Sequence, residues 1–230
     1  MPSGPNSLSG TLCHETIYRS LYQGIRGGLS RTLTKRLRTS RPLRKRRRRS
    51  DQRAARFIAP PVLIDHRPPA VELRARLGDW EGDLIVGPRS QSAVATLVDR
   101  RTRYLRLIAL PHGHSAGQLR DALVTAFIST MPEHARQTLT WDQGSEMARH
   151  HELAPYFTDG VFFAHPGSPW QRGTNENTNG LVRQYLPKRT NLSQHTPDDL
   201  RMIEDRLNNR PRKTLGWQTP AQAFTTALTP

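Results

Sequence analysis

Residues 80–110 read WEGDLIV-GPRSQS-AVATLVD-RRTR-YLRLIAL, three apolar runs rich in β-branched residues and separated by two short polar connections. Runs of this length joined by so few residues predict three strands in an antiparallel meander. Downstream the pattern changes. Ser115 with Gln118 three residues later has the form of a capping box, opening a helix whose Leu119, Leu123 and Phe127 share one face. TLTW (138–141) is a short strand, a short helix is expected around His150 to Tyr156, and VFFA is another strand. After Pro166 and Pro169 a longer helix is expected, and Thr196-Pro197-Asp198-Asp199 opens a capped helix running to about Asn209. Strands first in a meander, then interleaved with helices, define an α/β protein.

Three acidic residues stand in distinctive settings on this framework: Asp83 in GDWEGDLIVG, Asp142 in LTWDQGSE and Glu176 in SPWQRGTNENTNG. Asp83 sits within a strand beside Leu84, Ile85 and Val86, where an ionised carboxylate costs several kcal/mol unless it is paired or metal-bound. Strand alternation that turns it outward would make it an ordinary polar face. Asp142 closes a strand, and the carboxyl ends of strands in α/β sheets are where sites form, although Asp before Gln-Gly is also common turn chemistry. Glu176 lies among Asn175, Asn177, Thr178 and Asn179, with Arg172, Asn179, Gly180 and Arg183 near its helical face. Such a polar set suits a nucleic-acid groove or a solvated helix surface. The neighbouring acids Asp79, Glu81, Glu146 and Glu152 compete for the same roles, and spacing alone does not decide among them.

From about Gly78 to Phe224 the chain resembles the catalytic region of bacterial DDE transposases, specifically the family typified by insertion sequence thirty. The resemblance is carried by GDWEGDLIVG, TWDQGSEMA, SPWQRGTNENTNGLVRQYLPK and NNRPRKTLGWQTP, and by the 33 residues between Asp142 and Glu176. It implies a ribonuclease-H-like mixed sheet with flanking helices. It also implies that Asp83, Asp142 and Glu176 are catalytic and ligate two Mg²⁺ ions, with Mn²⁺ as a substitute. Oxygen donors suit such hard cations, and two of them can activate the attacking oxygen and stabilise the leaving one at phosphorus. The chain departs from the family pattern at Ala164 and His165, where Cys and Asp are usual, and at Arg189 and Asn191, where Gly and Asp are usual. The likeness begins near CHETIYRSLY, so the amino-terminal helix-turn-helix part of the family is expected to be missing.

Charge is distributed unevenly. The net +16 is concentrated between Arg19 and Arg56, where fifteen Lys and Arg face one acid, Asp51, leaving only +2 elsewhere. The centre, RPLRKRRRRSDQRAAR, is too charged and too poor in apolar residues to fold alone, so a basic disordered arm is expected, with Arg46, Arg47, Arg48 and Arg49 on phosphates. A solvated linker with incidental charge is the alternative. Prolines at 60–61 and 68–69 predict an extended connector between arm and domain. The expected organisation is 1–76 for short helix, arm and linker, 77–209 for the catalytic core, and 210–230 for a tail with a short helix.

Cys13 is the single cysteine, which excludes an internal disulfide and fits a reducing compartment. No apolar stretch has membrane-spanning or signal-peptide character, so a bacterial cytoplasmic, nucleoid-associated protein is expected. His112, His114, His150 and His151 lack the partner spacing of a zinc site. Trp80 and Trp141 adjoin strands and are expected to pack, while Trp170 and Trp217 suit either packing or base stacking. Arg172, Arg183, Lys188 and Arg189 are further candidate phosphate contacts. The resulting expectation is a transposase cleaving insertion-sequence ends and joining them to target duplex, as a homo-oligomer on DNA. A DNA-binding remnant without chemistry and a stand-alone nuclease of the same fold are the alternatives.

Overall fold

Five strands form a mixed sheet in the order β3-β2-β1-β4-β5. They are β1 (Asp79–Val86), β2 (Ala93–Asp99), β3 (Leu105–Leu110), β4 (Thr138–Trp141) and β5 (Gly160–Phe163). The computed structural model describes residues 57–229, so the basic arm and the expected helix before it lie outside the described residues. β1, β2 and β3 are antiparallel neighbours, whereas β1 with β4 and β4 with β5 are parallel. This is the meander that the short polar connections dictate, extended by two crossover strands.

Helix α1 (Ala116–Leu123) opens with the Ser115–Gln118 capping box and continues through a π turn, Val124–Ile128. Leu119, Leu123 and Phe127 bury together with Trp80, Leu97, Ile108, Leu139 and Trp141 on one face of the sheet. On the other face Ile85, Val94, Val98, Leu105 and Leu107 pack against Val182 and Leu186 and against Leu200, Ile203 and Leu207. Those partners come from α2 (Gly173–Val182) with the turn after it, and from α3 (Pro197–Asn208), which starts at the Thr196–Asp199 capping box. β2 is buried on both faces along its whole length, which is why AVATLVD lacks alternation.

Two segments differ in detail from their sequence reading. The expected helix near 150–156 consists of two 3-10 turns, His150–Glu152 and Ala154–Tyr156, with Pro155 inside the second. The proline-rich connector contains two 3-10 turns, Ile64–His66 and Pro69–Val71, and Leu63 bridges to Phe163. Helix α4 (Pro220–Leu228) inserts Phe224 into the first core, stacked on Tyr104 at 4.2 Å between ring centres. Among the described residues no helix is long and apolar enough to cross a membrane.

Candidate active site

Alternation along β1 sends Trp80 and Leu84 into the first core and Ile85 into the second. Glu81 and Asp83 share the side of Ile85 and meet α2. Asp83 therefore faces a helix. The parallel register of β1 with β4 pairs Asp79 with Thr138 and Glu81 with Thr140. Two residues further along, Asp83 and Asp142 come abreast where β4 has just ended. Gly82 makes this approach feasible, because a Cβ there would lie 1.9 Å from the ring of Trp141.

Arg172, in the 3-10 turn before α2, spans the two carboxylates, with guanidinium nitrogens 3.5 Å from Asp83 Oδ1 and 3.5 Å from Asp142 Oδ2. It also donates to the Gly82 carbonyl at 2.8 Å. Asp83 accepts from Asn179 Nδ2 at 3.0 Å and from the Leu84 amide at 2.9 Å, and Asp142 accepts from the Gly144 amide at 3.0 Å. Burial pushes the Asp83 carboxyl above the ordinary Asp range and the nearby Asp142 charge adds to this, with Arg172 opposing. Two carboxylates thus share one loosely placed guanidinium, with the half-buried Arg183 also near Asp83.

Glu176 lies one helical turn beyond Arg172 and just under one turn before Asn179, on the face that contacts Asp83, and it is exposed. Its carboxylate is not gathered with the aspartates: among the described residues no set of three His, Cys, Asp or Glu is close enough to hold a metal ion. The two converging carboxylates and the separate Glu176 on the facing helix are oxygen donors of the kind hard divalent cations take. Arg172 stands between the first two.

Three of the competing acids are engaged elsewhere, and Glu146 lies beside Asp142. Asp79 is held by Arg76 at 2.9 Å and by Thr138 at 2.8 Å. Glu81, fully buried, pairs with Arg100 at 2.7 Å and accepts from the Asn175 amide at 2.9 Å. Glu146 accepts from Trp141 Nε1 at 3.3 Å, its carboxyl raised by burial and by Asp142, while Glu152 pairs with Arg149 and Arg120. The buried His150 sits edge-on to Phe57 and Phe163, as a packing residue.

Of the basic residues read as phosphate contacts, Arg172 is largely buried in the aspartate bridge and Arg183 is half-buried near Asp83. Lys188 and Arg189 are exposed just beyond α2. Arg46 to Arg49 lie outside the described residues. Sequence reasoning missed Asn175, whose buried side chain donates to the Glu81 carbonyl at 2.8 Å and accepts from Thr96 Oγ1 at 3.0 Å, fixing α2 to β1 and β2. It sits in a run of polar residues, so no periodicity marks it.

An antiparallel meander extended by two parallel strands, with acids converging at the end of β4, is the architecture of an integrase-type, ribonuclease-H-like core. The integrase core domain family model matches residues 74–169. A chain of the simian T-cell lymphotropic virus intasome shares the fold, with a TM-score of 0.51 and 16% identity over 67% of this chain and 56% of that one. Similarity in sequence is much closer to the transposase for insertion sequence element IS1086 of Cupriavidus metallidurans, 46% identical over 97% of this chain and 65% of that protein. The transposase InsI for IS30A of Escherichia coli K12 is 45% identical over 90% of this chain and 54% of its own length. The transposase for IS4351 of Bacteroides fragilis is 40% identical over 92% of this chain and 63% of its length. The chain is thus similar over nearly all of its length to IS30- and IS1086-type transposases, and it spans between about half and two thirds of these relatives.

Proposed function

We propose that this chain is the catalytic core of a transposase that cuts a DNA strand at an insertion-sequence end and joins it to a target duplex. The observation that carries the reading is the convergence of Asp83 and Asp142 on either side of Arg172, beside a helix bearing Glu176. These three carboxylates would hold Mg²⁺, two ions in the proposed arrangement and Mn²⁺ as substitute. Bound there, the metal would supply charge stabilisation to the attacking and leaving oxygens.

The chain's own residues do the positioning. Asn179 and the Leu84 amide orient the Asp83 carboxylate, the Gly144 amide orients Asp142, and Asn175 ties the helix carrying Glu176 to the sheet. In the proposed cleavage, water oxygen bonds to phosphorus as the bond to the 3′ oxygen breaks, and that oxygen leaves as a hydroxyl. In the joining step this hydroxyl attacks a target phosphodiester, and the target's own 3′ oxygen departs. Arg183, Lys188 and Arg189 would hold phosphates along α2, and the arm with Arg46, Arg47, Arg48 and Arg49 would add sequence-independent attraction. The proposed setting is the bacterial cytoplasm, with copies assembled on the DNA.

An end-cleavage and joining assay with Mg²⁺ or Mn²⁺ tests the reading. Glu176→Gln is expected to lower cleavage on the order of 10³-fold while leaving DNA affinity nearly unchanged. Cleavage within a few-fold of the parent would remove Glu176 from the site. Hydrolysis without joining would identify a nuclease, and absence of both would identify a DNA-binding remnant.

A further inference from the structure

Between α3 and α4 the sequence RPRKTLGWQTP forms a closed loop with an unusual tip. Its centre is a 3-10 turn, Lys213–Leu215, followed by Gly216 at φ 60° and Trp217 at φ 71°, both left-handed. Glycine accepts that conformation freely, but for a bulky aromatic residue it is an outlier that persists only when the surroundings impose it. Here they do. The Trp217 amide donates to the Arg212 carbonyl at 3.0 Å, Arg212 N donates to Gln218 O at 3.0 Å, and Gln218 N donates to Leu215 O at 3.1 Å. Arg212 also donates from its guanidinium to the Leu207 carbonyl at 3.2 Å, fastening the loop to the end of α3. Thr219 caps α4 at the other end.

The strained, tightly held Trp217 is nevertheless 68% exposed, while Trp80 and Trp141 are fully buried. The segment that carries it is basic in sequence. Arg206, Arg210 and Lys213 are exposed, and no Asp or Glu occurs after Asp205. A rigid indole face held open to solvent in a basic segment does not serve a core. Base stacking needs an aromatic plane and nearby phosphate contacts, and it also needs an unpaired strand, because a duplex hides the base faces.

We propose that the 210–217 loop is a binding site for single-stranded DNA, with one base stacked on Trp217 and adjacent phosphates held by Arg210 and Lys213. The site is separate from the aspartate pair: the loop leaves α3 where Asn208 binds Leu105 at the start of β3, and α4 packs on Trp80 and Tyr104. It rests on the transposase reading only for the source of the strand, since a nick at an element end creates a strand terminus from which bases can fray.

Fluorescence-anisotropy titration of the full chain without metal tests this, using a thymidine oligonucleotide and an abasic oligonucleotide of equal length. A Trp170→Ala background removes the other exposed indole of the described core. The parent should prefer the thymidine strand by on the order of tenfold or more, and Trp217→Phe should keep most of that preference. Trp217→Gly should abolish it. Glycine suits the left-handed backbone, so a loss of preference in that variant, with unchanged melting, is a loss of stacking. Replacing Arg210 and Lys213 by Ala should flatten the salt dependence of log K by about 1.4 for a single strand. Equal preference in Trp217→Gly and the parent would overturn the proposal, as would loss of self-association in sedimentation with DNA binding intact, which would make the loop a protein interface. Because no cleavage is measured, failure here leaves the active-site reading standing, and failure of the cleavage assay leaves this site testable.

Discussion

Glu81 and Asp83 lie two residues apart on the same side of β1, and both meet α2, yet they are treated in opposite ways. Glu81 has no exposure, and Arg100 answers its charge at 2.7 Å while the Asn175 amide takes another lone pair. Asp83 has a half-buried carboxylate, another carboxylate for a neighbour, and a guanidinium no nearer than 3.5 Å. Close charge-assisted hydrogen bonds measure roughly 2.7–2.9 Å, so Arg100 is locked to its acid and Arg172 is not. The first acid contributes to the fold. The second has no such close partner, and in the proposed function it takes a cation.

Breaking the Glu81 side of this comparison should have the largest effect. Glu81→Ala leaves the buried Arg100 with only Glu72, at 3.2 Å, as a carboxylate partner, which is expected to cost about 3 kcal/mol and to lower the melting temperature by roughly 10 °C. A thermal melt checks it, and a variant melting like the parent would erase the distinction between the two acids. Asn175→Ala removes the side chain bonded to the Glu81 carbonyl, the Thr96 carbonyl and the Thr96 hydroxyl. The expected loss is about 2 kcal/mol in denaturant unfolding, with cleavage reduced as well because Glu176 follows it on α2.

Asp83→Asn sharpens the contrast with the smallest effect and the opposite sign. The folded state raises the Asp83 pKa, so ionisation of this group costs stability. That cost is absent below the ordinary Asp value, near 3.9, grows as pH rises through the raised folded value, and is full above it. The metal-free variant should therefore be more stable than the parent at neutral pH, by under about 1 kcal/mol given solvent screening of the half-open site. The gain should fade in acid. Glu146, Asp99 and Glu204 also have raised values, but they are common to both proteins and largely cancel in the difference. A metal-free variant less stable than the parent at neutral pH would show that Asp83 is a structural acid like Glu81.

Much of this was legible in the chain. The meander follows from the lengths of GPRSQS and RRTR, and the helix starts follow from Ser115 with Gln118 and Thr196 with Asp199, whose capping boxes are both formed. Local chemistry sets these features, so a local reading reaches them. The functions of Glu81 and Asn175 were not legible, because each depends on partners distant in sequence: Arg100 for Glu81, and Thr96 with the β1 backbone for Asn175. Nor was the placement of Arg172 between two aspartates, which also depends on distant partners. Sequence spacing supplied candidates for the site, and only the register of β1 on β4 brought Asp83 level with Asp142.

On the proposed function, Asp83 and Asp142 form a cation site. Calorimetric titration with Mn²⁺ tests it most directly, without DNA or turnover. The parent should bind Mn²⁺, Glu176→Gln should bind it more weakly, and Asp83→Asn and Asp142→Asn should show little or no binding heat. Parent-like Mn²⁺ affinity in both aspartate variants would contradict the account and make the pair, with Arg172, one more structural ion network.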